Sequence, residues 1–189
     1  SQGVGACLKH FAVNNQELGR MYMDAVVDDR TLREIYLRGF EIAVKTAKPW
    51  TIMCAYNRLN GVYCSEHDWL LNTVLREEWG FEGSVMTDWG AANNRPLGVK
   101  AGLDLEMPGS SGVNDARVAE AVANGDLDEA DLDRAIARNI ALGLSSLSRQ
   151  KPATPSDPDE QHRLARKAAA QSCVPVSYTH LTLPTSSQV

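Results

Sequence analysis

Short apolar runs, each bounded by polar or turn residues, recur along the chain and predict β-strands. The four runs are ACLKHF (6–11), TIMCAYN (51–57), GSVMTDW (83–89) and GLDLEM (102–107). Residues with helical spacing fill the intervals between these runs. Strands that alternate with helices in this way are typical of parallel βα units, so the pattern predicts an α/β fold.

The first predicted helix follows the sequence TLRE (31–34), which has the form of a capping box. Its apolar face carries Leu32, Ile35, Tyr36, Phe40 and Ala43. Pro49 ends this helix. Further helices are predicted at 66–79, within 92–101, at 114–124 and at 128–147. The last of these places on one face Leu132, Ala135, Ile136, Asn139 and Ile140.

Two architectures fit four strands and their helices. Four strands cannot close an eight-stranded barrel, so a TIM-like (β/α)8 barrel is present only as its second half. The alternative is an open, doubly wound sheet, which binds its ligand at the carboxyl ends of the strands in the same way. Both architectures predict a site at those strand ends.

Composition and charge narrow the range of partners. The chain has 189 residues, 43% of them hydrophobic, which is enough to form a globular core. A net charge of -5 disfavours nucleic acid, whose phosphates are bound by Lys and Arg. No apolar run approaches the length of about 18 residues that spans a bilayer, so we expect no membrane partner. The four cysteines lie far apart and lack metal-ligand spacing, so we expect free thiols and neither a metal site nor a disulfide framework. We also expect no cofactor.

Polar side chains gather at the ends of the predicted strands. Each of the four strands ends in such a group: Lys9-His10, Tyr56-Asn57, Asp88-Trp89, and Asp104 with Glu106. A single polar strand end is most simply explained as a group hydrated by solvent. Four successive ones suit a sugar, because its hydroxyls need charged hydrogen-bond partners and its apolar ring face stacks on an aromatic side chain.

Four motifs resemble those of family 3 glycoside hydrolases, which include many β-glucosidases and β-xylosidases. In chain order they are KHFAVNNQE (9–17), MCAYNRLNG (53–61), WGFEGSVMTDWGA (79–91) and AGLDLEMPG (101–109). The resemblance covers roughly residues 3–150. It implies an α/β fold that is the second half of a (β/α)8 TIM-like barrel, truncated at both ends, and an enzyme that acts on a β-glucoside or an oligosaccharide.

The resemblance also implies roles for individual residues. Asp88 is then the catalytic nucleophile. The subsite for the non-reducing sugar is lined by Lys9, His10, Arg20 and Tyr56, with Trp89 in the same pocket. A retaining glycosidase attacks the anomeric carbon with one carboxylate, while a second carboxyl protonates the leaving oxygen. Lys9 and Arg20 favour the ionised Asp88 by their opposite charge.

The second carboxyl is not identified by the sequence. Asp104 and Glu106 share a strand face and are candidates by proximity, although Asp104 is better explained by structural hydrogen bonds. In the family that the chain resembles, the acid/base residue comes from a following α/β sandwich domain. We therefore expect that domain, which this chain lacks, to supply the acid/base.

The resemblance divides the chain into four parts. Residues 1–149 form the C-terminal part of the barrel domain, and the Pro-rich, polar residues 150–160 form a linker. Residues 161–174 begin the sandwich domain. The terminal PVSYTHLTLPTSSQV (175–189) resembles translated sequencing-adaptor DNA, so we expect it to be a non-native tail.

Several alternative functions remain open. A β-xylosidase of the same family differs in its substrate by one hydroxymethyl group. A barrel aldolase could use Lys9 as its Schiff-base lysine, although the adjacent His10 and the TDW segment fit that chemistry poorly. A β-N-acetylglucosaminidase of family 3 would usually carry the segment KHFPGHG. This chain reads KHFAVNNQE at the corresponding place, which fits that activity poorly. A catalytically inactive binding protein would have no need of the attacking carboxylate Asp88.

Overall fold

The computed structural model describes residues 3–150 and 156–174. The chain separates into two compact units, one ending at Gln150 and one starting at Lys151, and each is described by itself. The larger unit contains six strands: β1 (Cys7–Phe11), β2 (Asp24–Ala25), β3 (Thr51–Cys54), β4 (Arg58–Leu59), β5 (Val62–Tyr63) and β6 (Ser84–Met86). Its α-helices are α1 (Asp29–Thr31), α2 (Arg38–Ala47), α3 (Arg95–Lys100), α4 (Val113–Asn124) and α5 (Glu129–Ser148).

The main sheet contains three of the four predicted strands. β1, β3 and β6 lie side by side in that order and are parallel. Ile52 of β3 pairs with Leu8 on one side and with Val85 on the other. The unit therefore has α/β character, and the carboxyl ends of its three strands meet at one edge of the sheet.

The fourth predicted strand, 102–107, is reduced to a single bridge between Met86 and Leu105. The regular ladder fails here because the carboxylate of Asp104 accepts the Val85 N–H at 2.8 Å, a bond that a backbone carbonyl would make in a sheet. The prediction of a full strand at GLDLEM is therefore wrong, because a side chain replaces one of the backbone bonds of the ladder.

A second, small sheet was not predicted from the apolar runs. β2 pairs in parallel with β4, and β4 pairs antiparallel with β5. Two-residue strands are too short to show an alternating pattern. The turn between β4 and β5 does carry a signal, because Asn60 and Gly61 both have positive φ, as an Asn-Gly hairpin turn requires.

The first helical segment starts earlier than predicted. Asp28, not Thr31, is the N-cap, and its Oδ1 accepts the Thr31 N–H at 3.0 Å. Thr31 makes no capping bond with its side chain, so the predicted capping box is wrong. Residues Leu32–Tyr36 form π-helical turns before α2 begins, and this change of period leaves Ile35 exposed although it was assigned to the buried face.

The later helices follow their predicted positions closely. The segment Trp69–Glu78 is helical but has π-helical turns throughout. α4 ends at Asn124 and is followed by Gly125, whose φ of 79° is the left-handed conformation common after a helix. Asp128 caps α5 by accepting the Ala130 N–H. In the second unit, α6 (Pro158–Ser172) is capped by Asp157 and is exposed along its whole length.

One apolar core joins the main sheet to its helices. Phe11 of β1 is fully buried and contacts Phe40 and Trp79 edge-on, with ring centroids 5.0 and 5.8 Å away. Leu70, Leu71, Val74 and Leu75 line the same core. This packing fixes the sheet beneath its strand ends and therefore fixes the residues that follow the strands.

All four cysteines are free thiols. Cys7 and Cys173 are exposed, whereas Cys54 and Cys64 are buried. Burial raises the pKa of the Cys64 thiol to about 12, so this thiol stays protonated and is a poor nucleophile. The predicted non-native tail, 175–189, and residues 151–155 of the predicted linker lie outside the described residues.

Candidate active site

Asp88 is the second residue after β6 and lies beside the end of β1. Its Oδ2 is 3.2 Å from Nε2 of His10, which occupies the fourth position of β1. The side chains of Asp88 and His10 are 14% and 32% exposed, so both can be reached from solvent. The parallel pairing of the sheet thus brings together two residues that are 78 positions apart in the chain.

The two carboxylate oxygens of Asp88 have different surroundings. Oδ1 accepts the backbone N–H of Trp89 at 2.7 Å. This bond fixes the plane of the carboxylate relative to the backbone. Oδ2 is then the oxygen that faces His10, and it is the one available to meet a ligand.

Tyr56, which follows β3, completes the cluster. Its hydroxyl donates to the carbonyl of Trp89 at 2.9 Å. Burial raises the pKa of Tyr56, and the nearby charge of Asp88 raises it further. The phenol therefore stays protonated and acts as a hydrogen-bond donor beside the carboxylate.

Arg20 reaches the cluster from the segment between β1 and β2. Its guanidinium lies over the Tyr56 ring, 4.7 Å from the ring centroid. Glu17 pairs with Arg20 at 2.7 Å, which orients the guanidinium. This position places a positive charge, paired with Glu17, against the phenol ring of Tyr56.

The other two predicted site residues are at the margin of the cluster. The backbone of Trp89 bonds both Tyr56 and Asp88 within the cluster. The residue as a whole is 52% exposed, so its side chain reaches solvent. Lys9 is exposed, and its ammonium group forms no hydrogen bond or ion pair with any other described residue. The structure therefore joins His10, Tyr56, Asp88 and Arg20, and leaves Lys9 unpaired.

The two in-chain candidates for a second carboxyl have structural partners. Asp104 is fully buried and pairs with Arg76 at 2.7 Å and with Arg138 at 3.0 Å. Glu106 accepts a hydrogen bond from Nδ2 of Asn114 at 2.7 Å. Asp104 is thus committed to holding two arginines, and it has no free oxygen for proton transfer.

The Asp104 cluster leads to a prediction about stability. Replacing Asp104 with Ala is expected to lower the free energy of unfolding by about 3 to 5 kcal/mol, because the largely buried guanidinium of Arg76 would lose its partner. Urea denaturation of the full-length protein measures this loss. The exposed Asp133 provides the control: Asp133→Ala is expected to change the stability by less than about 0.5 kcal/mol. Equal effects of the two changes would contradict the role assigned to Asp104.

Three side chains that the sequence patterns did not single out anchor the loop after β6. The Thr87 hydroxyl bonds the backbone of Met107. The Ser65 hydroxyl donates to the Ala91 carbonyl at 2.8 Å. Glu66 accepts the Asn94 N–H at 2.6 Å, and burial raises the pKa of Glu66. Small hydroxyls inside apolar runs give no periodic signal, so only the structure reveals these bonds.

Neither a metal site nor a membrane span is found in the part of the chain that the structure describes. No group of three or more His, Cys, Asp or Glu side chains within 3–150 and 156–174 is arranged to hold a metal ion. No helix within the same residues is long and apolar enough to cross a membrane.

Comparison of the sequence with known protein families identifies the family of this parallel sheet and its strand-end cluster. The sequence profile of the glycosyl hydrolase family 3 N terminal domain matches residues 1–142. The chain belongs to this family of glycoside hydrolases.

Individual relatives make the comparison more specific. Thermostable β-glucosidase B of Acetivibrio thermocellus is 56% identical over 174 residues, which cover 92% of this chain and 23% of that protein. An exo-α-(1→6)-L-arabinopyranosidase of Bifidobacterium breve is 46% identical, over 97% of this chain and 24% of that protein. Among solved structures, β-glucosidase 3B from Thermotoga neapolitana in complex with α-D-glucose matches with a TM-score of 0.83 and 46% identity. That match covers 89% of this chain and 25% of the other. The chain thus spans about a quarter of the length of these relatives.

Proposed function

We propose that this chain carries the nucleophile half of the active site of a retaining, exo-acting β-glucosidase. The observation that carries the proposal is the strand-end cluster, in which Oδ2 of Asp88 lies 3.2 Å from Nε2 of His10 and the charge of Asp88 lies near the Tyr56 hydroxyl. In this account Asp88 attacks the anomeric carbon of a terminal β-D-glucosyl residue. A covalent glycosyl-enzyme intermediate forms, and water then hydrolyses it.

The surroundings of Asp88 suit this chemistry. The Trp89 N–H holds Oδ1, so Oδ2 can approach the sugar without a change in the carboxylate plane. Tyr56 stays protonated, and we propose that its single O–H, which donates to the Trp89 carbonyl in the structure, turns to the charged nucleophile or towards the ring oxygen when the sugar binds. His10, Lys9 and Arg20 are proposed to bind the sugar hydroxyls, and the exposed Trp89 ring offers an apolar face for stacking.

The reaction also needs a second carboxyl, which protonates the leaving oxygen and later activates water, and we propose that it lies outside these residues. Asp104 and Glu106 are both engaged by partners, which favours an acid/base group from elsewhere in a protein of the relatives' length. We propose that this group comes from a sandwich domain that follows the linker.

We further propose that the main sheet is the second half of a (β/α)8 barrel. Two features support this assignment. α5 exposes an apolar stripe whose members are between 46% and 64% exposed: Ile136, Ile140, Leu144 and Leu147. The outer edge of β1 also has no strand partner among the described residues. Both surfaces suit contacts with other elements of a complete barrel.

The sugar is the least constrained part of the proposal. One relative is named as an exo-α-(1→6)-L-arabinopyranosidase at 46% identity, which makes an arabinopyranoside the second candidate substrate. A β-xyloside is a third, since it lacks only the hydroxymethyl group of glucose. Nitrophenyl glycosides of the three sugars, compared by kcat/KM on the full-length protein, separate these candidates.

The stereochemistry of the product tests the proposed mechanism. Proton NMR of the first product formed from a β-glucoside is expected to show β-glucose, because two successive displacements retain the configuration. Initial release of α-glucose would contradict a covalent intermediate on Asp88.

The proposed sugar contacts lead to a further prediction about activity. His10→Ala and Lys9→Ala are each expected to lower kcat/KM by about 10²-fold in the full-length protein, because hydrogen bonds to sugar hydroxyls strengthen in the transition state. Arg20→Ala is expected to act in the same direction. Lys100→Ala, at an exposed position in α3, is the matched control and is expected to leave kcat/KM unchanged. Wild-type efficiency in the His10 and Lys9 variants would show that these residues do not bind the sugar.

A further inference from the structure

We propose that Thr87 is a positioning residue, whose hydroxyl fixes the backbone on which Asp88 is presented. This inference rests on the proposed function, because it concerns the placement of the nucleophile. Thr87 directly precedes Asp88 and is fully buried, so it cannot touch the substrate itself.

The hydroxyl of Thr87 makes two hydrogen bonds to one neighbouring residue. Its Oγ1 accepts the Met107 N–H at 2.7 Å and donates to the Met107 carbonyl at 3.2 Å. The N–H and the carbonyl of Met107 thus both bond a side chain, where a regular sheet would bond them to the backbone of a neighbouring strand. Met107 belongs to the segment that fails to form the fourth strand of the sheet.

These bonds lie where the sheet ladder has already ended. The last sheet contact on this side is the bridge between Met86 and Leu105. The Thr87 N–H forms part of this bridge by donating to the Leu105 carbonyl at 3.0 Å, and beyond the bridge the Gly90 N–H donates to the Met107 carbonyl at 3.1 Å. Asp88 therefore lies between two backbone anchors, both of which depend on the position of residues 105–107.

The Thr87 hydroxyl is the only side-chain group among the described residues that bonds the Met107 backbone. Without it, Met107 would be held to the nucleophile loop only through Gly90. A displacement of about 1 Å in a reacting group costs about 10²-fold in rate, so a loosened contact at Met107 is expected to reduce turnover rather than substrate affinity.

Ser84 provides a control that distinguishes a positioning role of Thr87 from a contribution to stability alone. Ser84, at the start of β6, is also fully buried, and its hydroxyl donates to Oδ1 of Asn139 at 2.7 Å. Ser84 and Thr87 thus lie on one chain segment and each make a buried hydroxyl contact. Only Thr87 is next to Asp88, so Ser84→Ala is the matched control for loss of such a contact.

The experiment compares Thr87→Val, Thr87→Ser and Ser84→Ala in the full-length protein. Thr87→Val keeps the shape but removes the hydroxyl, and it is expected to lower kcat about 10²-fold while KM stays within about 3-fold of the wild type. Thr87→Ser restores the hydroxyl and is expected to recover most of the rate. Ser84→Ala is expected to lower Tm without a comparable loss of kcat.

Several outcomes would overturn the proposal. They are wild-type kcat in Thr87→Val, failure of Thr87→Ser to recover the rate, and an equal loss of kcat in Ser84→Ala at the same Tm. If Thr87→Val does not fold, Thr87→Ala tests the same loss of the hydroxyl with a smaller side chain.

Covalent labelling of wild-type Asp88 by a 2-fluoro glucosyl fluoride is run in parallel. Labelling at Asp88 together with an unaffected Thr87→Val contradicts the positioning role alone, whereas absence of labelling contradicts the proposed function.

Discussion

Asp88→Asn in the full-length protein is expected to lower kcat on an aryl β-glucoside by about 10⁴-fold. The amide oxygen is a much weaker nucleophile than the carboxylate, and no covalent intermediate should form. The Asn side chain is nearly the same size and can still accept the Trp89 N–H, so the fold should be preserved. Initial-rate kinetics, together with an unchanged Tm, measure this effect.

Glu106→Gln is the matched control for this change. Glu106 also lies in a motif that the sequence analysis singled out, and it can keep its hydrogen bond from Asn114 as a glutamine. The kcat of the Glu106→Gln variant is expected to stay near the wild-type value. A large loss in Glu106→Gln with little loss in Asp88→Asn would transfer the nucleophile assignment to Glu106.

The second large effect concerns residues 1–174 taken alone, which are expected to hydrolyse no glycoside. A dinitrophenyl glucoside separates two causes of inactivity, because its leaving group departs without protonation. If only the acid/base were missing, Asp88 would still be glycosylated and a burst of dinitrophenol would appear. We expect no burst, because the exposed stripe on α5 and the open edge of β1 should leave the cluster poorly fixed without the rest of a barrel.

Stopped-flow absorbance on residues 1–174, beside the full-length protein, measures the burst. The same residues carrying Asp88→Asn are the control. A burst that disappears in this variant would show that three parallel strands hold a working nucleophile on their own. That result would contradict the need for the remaining barrel, while it would support the role of Asp88.

The parts of the fold that the sequence could predict are those that depend on local pattern. TIMCAYN and GSVMTDW contain strands because continuous apolar runs suit a strand that is buried on both faces. α5 begins after Asp128 as expected, since an N-cap followed by periodic apolar residues is a strong local signal. The resemblance of four motifs also pointed to the residues that the sheet brings together.

The remaining features depend on contacts that no local pattern encodes. The run GLDLEM looks like a strand, but the side chain of Asp104 takes the bond that a strand would make. Thr31 has the sequence of a cap, but Asp28 precedes it and forms the capping bond instead. The bonds of Thr87 to Met107 join positions 20 residues apart, and a hydroxyl in an apolar run does not indicate its partner.

The central claim is that Asp88 forms a covalent bond to the sugar. The most direct test incubates the full-length protein with 2-deoxy-2-fluoro-β-D-glucosyl fluoride, whose fluorine slows hydrolysis of the intermediate, and then maps the labelled peptide by mass spectrometry. Our account predicts one fluoroglucosyl group, on the side chain of Asp88 within GSVMTDWGA. A label on Glu106, or no label in a protein that still turns over β-glucosides, would contradict it.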